Sequence, residues 1–457
     1  MKVRDVEILF HPNSRILNPD RFNAENALRV GIISATFSPE RSYQENIWAE
    51  SLTEMGCCVR VFSPARSPSL LGEPSERIHT LETPTGLPFQ WSEVPSYQFE
   101  RNQVLTTHLG TGIVNFQPDL LIWFGCIMYF GREVYLDERV AKVPLITVYS
   151  LSRRGRQPFR WYGANLSLKE RIKGFAFQII KAPILTQTLK RAQLTIANTP
   201  ECTDIIRQYV WGDERVRWAR KHEEIPLGFC PHTFGFQRDV RFRARQALGL
   251  SEQETVIVFS SRFERDKWDC LVQCFTAVEK CFVQRKSRGN SLPKLVWIGA
   301  KDNELSERFR AMLSASDFSD NHHLISFQPR GRLATWYHTA DILLFPQPSI
   351  SVQEALGTGV KVLCPRDPSL DHLEAYSDTL SFAEMDDWPD HLNRMCSQRE
   401  LMWDEEEYKR QQSAQRALAL AYPTLIQSAL DALIKRLSSE MSAQLCSRYP
   451  LKEIYVK

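Results

Sequence analysis

The sequence predicts an α/β protein built of two doubly wound Rossmann-like domains facing across a cleft, with C-terminal helices. Three observations lead there. Short apolar runs of strand length alternate with helix-period patterns in two successive sets, one from residue 30 to 198 and one from 256 to 364. The runs are continuously apolar, as parallel strands covered on both faces are. The chain, at 457 residues, exceeds the ~100–200 residues of one domain.

Each element has its own reason. Residues 1–28 form an irregular or strand-like lead-in. Val30–Ser34 is a strand. Ser42–Met55 carries Tyr43, Ile47, Trp48, Leu52 and Met55 as an apolar stripe near helical period. Gly56 ends it, and Val59–Phe62 completes a βαβ unit. Residues 63–100, rich in Pro, Ser and Glu, read as a surface excursion. Leu120–Phe124, Leu145–Val148 and Leu194–Asn198 are further strands. The linker falls after residues 223–229, in a basic polar stretch reaching Arg245. The second set opens with strand Val256–Phe259 and helix Asp269–Gln284, whose Leu271, Val272, Phe275, Val278 and Phe282 share a face. Leu295–Ile298, Leu324–Phe327, Ile342–Phe345 and Lys361–Cys364 continue it. Ile426, Leu430, Leu433 and Leu437 mark an amphipathic helix started by Pro423. The domains expected are 1–228, 229–395 and a helical segment 396–457.

Composition excludes several classes. Lys and Arg number 57 against 54 Asp and Glu, a net charge of +3, so whole-chain charge gives no case for nucleic acid. No run reaches the ~18–20 apolar residues of a membrane span. The polar N-terminus holds no signal-peptide core. Eleven cysteines, an odd count without a CxxC pair, read as reduced thiols of a cytoplasmic protein. No His or Cys cluster suggests a metal.

Chemistry concentrates at three places. After the strand at 256–259 come Arg262-Phe-Glu264-Arg265-Asp266-Lys267. Cations between a strand end and a helix start suit a diphosphate. With no DxD aspartate pair to hold a metal, Arg262 and Lys267 are the groups to take up charge on a departing diphosphate. A solvated charge run pairing internally is the competing reading. The second place is Ser349-Ile-Ser351-Val-Gln-Glu354, running on to Gly359. Glu354 suits a pair of ribose hydroxyls, or it caps its own helix in a box with Ser351. The third is the first βα turn, where Ser42 and Glu45 fit another capping box and helix amides face the crevice. Gly299 makes a tight βα turn, either lining the crevice or simply turning. Between Arg153 and Arg191 lie ten Lys or Arg, with aromatics interleaved, against one acid, Glu170. That stretch reads either as a solvated helix face or as a surface for anionic membrane or a lipid-linked acceptor.

Taken in order, GlyIleIleSer, TyrGlnGluAsn, IleProLeuGlyPhe, SerSerArgPheGluArgAspLys and GlnGluAlaLeuGlyThrGlyValLysVal resemble glycosyltransferase family 4 over roughly residues 29–375. The resemblance implies the GT-B fold and metal-independent transfer, with retention, of a sugar from a nucleotide-diphosphate donor to an acceptor hydroxyl. It implies no cofactor, the nucleotide-sugar being a substrate. Residues 1–228 become the acceptor side and 229–395 the donor side. Arg262 and Lys267 become the diphosphate ligands. Glu354, Gly299, Ser349, Ser351 and Arg330 become donor-binding, with residues near Phe327–Gly331 beside the base. Ser42, Tyr43 and Tyr149 line the acceptor-side loop. The acceptor is a glycan, lipid-linked or small molecule. The chain departs from the family pattern where Pro346 stands eight places before Glu354, in place of a carboxylate, and where Tyr149 and Ser150 replace a histidine. A GT-B protein that binds nucleotide or scaffolds an assembly without catalysis is the alternative.

Overall fold

The computed structural model describes residues 27–39, 43–65, 76–100, 103–125, 129–151, 182–210, 212–401 and 403–447. The described chain forms two compact units, one of residues up to 227 together with 422–447, the other of residues 228–421.

The N-terminal unit is built on strands β1 (Arg29–Ser34), β2 (Cys58–Pro64), β3 (Arg77–Glu82), β4 (Pro88–Val94), β5 (Tyr97–Glu100), β6 (Gln103–Leu105), β7 (Leu120–Phe124), β8 (Leu145–Tyr149), β9 (Leu194–Ala197) and β10 (His222–Glu224). The main sheet has the order β10-β9-β8-β7-β1-β2-β4-β3, and β5 and β6 form a separate ribbon. Every main-sheet pairing is parallel except β3 with β4. The strands expected at 30–34, 59–62, 120–124, 145–148 and 194–198 are all present. The stretch read as a surface excursion is corrected in part. Its residues 77–94 add two strands to the sheet, and Trp91 and Ser92 are buried there. Edge strand β3 is largely exposed, so its composition resembles a loop. Helix Gln44–Glu54 buries Ile47, Trp48 and Leu52, each worth ~1.5–3 kcal/mol. Helix Tyr422–Ile434, with Pro423 in its first turn, packs against it. The chain changes unit between Ala421 and Tyr422, not near residue 395: helices Trp388–Leu401 and Trp403–Ala417 stay with the second unit.

That unit carries β11 (Val256–Ser260), β12 (Lys294–Ala300), β13 (His322–Ser326), β14 (Ile342–Leu344), β15 (Lys361–Cys364) and β16 (Leu380–Phe382) in one parallel sheet of order β13-β12-β11-β14-β15-β16. Alternate side chains feed two cores. Val256 and Val258 join one with Phe229, Tyr337 and Leu356; Ile257 and Phe259 join the other with Trp297, Phe309 and Trp388. Helix Trp268–Ser287 covers the second core, and its Cys274 and Cys281 are buried free thiols. No helix among the described residues is long and apolar enough to cross a membrane.

Candidate functional site

In the C-terminal unit the chain runs from β11 outward to β12 and β13, then returns on the other flank of β11 as β14. The loops after β11 and β14 therefore diverge, and a crevice opens at the carboxyl ends of these two strands. Two of the sequence candidates come from one loop and three from the other. Arg262, Glu264 and Lys267 line a small pocket with Cys270, Pro346 and Gln347.

Arg262 is half exposed, with Nη1 3.6 Å from Glu264 Oε1. Lys267 Nζ donates to Ser261 Oγ at 3.4 Å. Glu264 is held more closely by Lys301 of the neighbouring β12 loop, at 2.8 Å. The Lys301 hydrogen bond, with Arg262 and Lys267 nearby, outweighs partial burial and keeps the Glu264 carboxyl below its usual range. Among the described side chains, Glu264 thus faces three cations, Arg262, Lys267 and Lys301. Gly299, at φ +123°, does not line this pocket. It backs the loop: Phe263 N donates to its carbonyl at 3.3 Å.

On the β14 side, Glu354 is buried in helix Ser351–Gly357. The capping box expected between Ser351 and Glu354 does not form. Ser351 is the first helical residue, Ile350 occupies the cap position without a side-chain bond, and the Ser349 hydroxyl accepts from Ser351 N at 3.2 Å. Burial pushes the Glu354 carboxyl up to about 7, against the opposing pull of Arg330 and the Ser351 hydroxyl. The buried phenol of Tyr337 lies beside Ser260, Ser351 and Glu354, and burial followed by the Glu354 charge raises its pKa. Arg330 also stands over the Phe234 ring, 5.8 Å from its centroid. Phe327, just past β13, is 58% exposed, an unusual setting for a large aromatic.

The N-terminal unit has its own switch point between β1 and β7. Ser42 lies outside the described residues. Tyr43 takes the cap position of helix Gln44–Glu54 with no side-chain cap bond. Glu45 does not cap either: its Oε1 accepts from Ser34 Oγ and Thr36 Oγ1, each at 3.0 Å. Tyr149, expected on the acceptor-side loop, ends strand β8. Its ring is 1% exposed within the core, because it is the last inward-facing position of β8. The polar groups at this edge are instead Gln44, Ser150 and Asn198. Ser150 Oγ donates to Gln44 Oε1 at 3.1 Å, and Asn198 Nδ2 donates to the same oxygen at 2.9 Å. Most of the basic stretch, 152–181, is outside the described residues. Its last member, Arg191, is structural: it donates to Val140 O at 3.2 Å and also to Val143 O.

Sequence reasoning missed Lys301, Tyr337, Gln347 and the Gln44–Ser150–Asn198 cluster. Lys301 follows β12 directly, a signal open to the strand pattern. Tyr337 sits in the last turn of helix Arg330–Thr339 beside Trp336, where nothing local separates it from a core aromatic.

No protein-family model and no curated protein matches the chain. Solved structures do. Sucrose-phosphate synthase from Thermosynechococcus elongatus is 15% identical, with a TM-score of 0.58 over 90% of this chain and 100% of that one. HepE from Anabaena, in complex with UDP-glucose, is 12% identical with a TM-score of 0.55 over 89% and 100%. The catalytic domain of starch synthase IV from Arabidopsis thaliana, bound to ADP and acarbose, is 11% identical with a TM-score of 0.57 over 90% and 99%. The fold is that of the GT-B glycosyltransferases.

Proposed function

We propose that this protein is a metal-independent glycosyltransferase of the family 4 type. It moves a sugar with retention from a nucleotide-diphosphate donor to a hydroxyl of a glycan, lipid-linked or small-molecule acceptor. One observation carries the reading. Arg262 and Lys267 leave the end of β11, and Ser349, Ser351 and Glu354 leave the end of β14, the two strands flanking the switch point of one parallel sheet.

The chemistry follows from charge. As the bond between the anomeric carbon and the diphosphate oxygen breaks, negative charge grows on that oxygen. The Arg262 guanidinium and Lys267 ammonium meet it with positive charge already in place. The acceptor oxygen forms the new bond on the same face, and its proton passes to the departing phosphate oxygen. No protein nucleophile is needed. Glu354 takes the ribose hydroxyls, Arg330 steadies Glu354, and the exposed ring of Phe327 stacks on the base. Two of the structural neighbours carry UDP-glucose and ADP, ligands of the class proposed here.

The test is a panel of nucleoside diphosphates and their sugars, read by melting temperature and by sugar transfer. One diphosphate should raise the melting temperature, and its sugar donor should be consumed only with an acceptor present. Stabilisation without turnover across a broad acceptor panel would favour the non-catalytic reading, which Pro346 in place of a carboxylate motivates. Absence of any nucleotide effect would reject both.

A further inference from the structure

Two exposed hydroxyls stand at the carboxyl edge of the N-terminal sheet, and neither is free to turn. Thr36 follows β1, and Ser150 follows β8. They flank the switch point between β1 and β7 from its two sides, where open parallel sheets take their ligands. Each is tied to one of the two consecutive residues that open helix Gln44–Glu54. Thr36 Oγ1 donates to Glu45 Oε1 at 3.0 Å, and Ser34 Oγ donates to the same oxygen at 3.0 Å. Ser150 Oγ donates to Gln44 Oε1 at 3.1 Å and accepts from Asn198 Nδ2. Gln44, Glu45 and Asn198 are at most 8% exposed, so these tethers are held from inside the fold.

A hydroxyl has a single proton to give. Both protons are committed inward, so Thr36 and Ser150 turn oxygen lone pairs outward. The two amides pair reciprocally: Gln44 Nε2 donates to Asn198 Oδ1 at 3.3 Å, and Asn198 Nδ2 donates to Gln44 Oε1 at 2.9 Å. Reversing both amides would exchange the partners of Ser150 and leave its proton committed all the same. A fixed lone pair is met by an O–H that a ligand brings. A phosphate or carboxylate oxygen brings another lone pair instead, and Glu45 adds negative charge behind Thr36. Of the six residues in these contacts, Ser34, Thr36, Gln44, Glu45, Ser150 and Asn198, Glu45 alone is charged.

We propose that Thr36 and Ser150 bind a neutral glycan by accepting hydrogen bonds from its hydroxyls. Naming that glycan as the sugar acceptor rests on the transferase reading above; its binding does not.

The probe is an array of immobilised neutral oligosaccharides of glucose, mannose and galactose, each beside its phosphorylated and its O-methylated form, read with the full chain. At least one neutral glycan should bind. Its phosphorylated form should bind roughly tenfold more weakly. Its O-methylated form, which keeps oxygen lone pairs but has no proton to give, should not bind. Thr36→Val and Ser150→Ala should each weaken binding about 3–10-fold, the effect of one lost hydrogen bond. Thr36→Ser and Ser150→Thr keep the oxygen and should bind as the parent does. The Arg262→Ala/Lys267→Ala protein should keep glycan binding, so a failure of the donor assignment leaves this site standing. Transfer that proceeds without glycan recognition would overturn this site alone. The proposal also falls if no neutral glycan on the array binds, if a phosphorylated or O-methylated form binds as well as its neutral parent, or if the Thr36→Val/Ser150→Ala protein binds like the parent.

Discussion

A Cβ placed on Gly299 would lie 1.8 Å from the carbonyl oxygen of Ser261. The obstacle is backbone, which cannot swing aside as a side chain can. Gly299 at φ +123° also occupies a conformation that L side chains rarely adopt. The two loops of β11 and β12 therefore close on each other only because this residue has no side chain, and that closure fixes where Arg262 starts. Gly299→Ala should cost about 3 kcal/mol in chemical denaturation. Nucleotide affinity should fall at least tenfold at a temperature where the variant is still folded. Unchanged affinity would mean that the loop position does not govern the site.

Arg262→Ala and Lys267→Ala should each slow sugar transfer by ~10²–10³-fold. Both side chains are partly exposed, so melting temperatures should stay within about 2 °C of the parent, as surface substitutions do. Lys301→Ala should do less, since its closest partner is Glu264 and its effect on the diphosphate runs through that carboxylate. Turnover near the parent rate in both Arg262→Ala and Lys267→Ala would remove the assignment.

Continuous apolar runs made both sheets legible, since a parallel strand buried on both faces leaves that pattern whatever its neighbours do. Edge strand β3 escaped because it is solvated and carries loop-like residues. The Arg262–Lys267 loop was legible because charge at a strand end is a local feature. The competing reading of Ser351 and Glu354 as a capping box has the right spacing, but spacing does not say where a helix starts, and Ile350 takes the cap position; Glu45 is bonded by Ser34 and Thr36. The Asp341 cluster was invisible for the same reason: its members come from residues 241, 245, 341 and 399, and only the fold brings them together.

Glu354 makes stability and binding respond to pH in opposite directions. Its pKa is raised from the ordinary 4.5 to about 7, so its contribution to stability is fully present below about 4.5 and is lost as pH rises through about 7. Glu354→Gln, neutral throughout, should be more stable than the parent at pH 8 by up to about 3 kcal/mol without ligand. The same variant should bind nucleotide at least tenfold more weakly, as it loses the charged acceptor for the ribose hydroxyls. For the parent, affinity should drop as pH falls from 8 to 6. Paired melting curves and nucleotide titrations across that range check both. An affinity flat with pH in the parent would show that the carboxylate is not at the ribose.

Asp341 presents the opposite sign. Its carboxylate also accepts from Val256 N at 2.8 Å, so it joins the start of β11 to three buried arginines. Burial alone would raise its pKa, but Arg241, Arg245 and Arg399 outweigh burial and hold it well below the carboxylate range. Its stabilisation is therefore present at neutral pH and lost as acid protonates it below about pH 4. Asp341→Asn keeps the shape and removes the charge. It leaves three arginines facing one another in the interior and should cost about 3–5 kcal/mol, the usual result of removing one partner from a buried ion pair. The loss should appear as a lower denaturant midpoint at pH 7, and the gap to the parent should narrow as pH falls toward 3. A variant with the parent's midpoint would mean that the arginines are neutralised by another anion, and repeating the melt in phosphate-free buffer would then expose it.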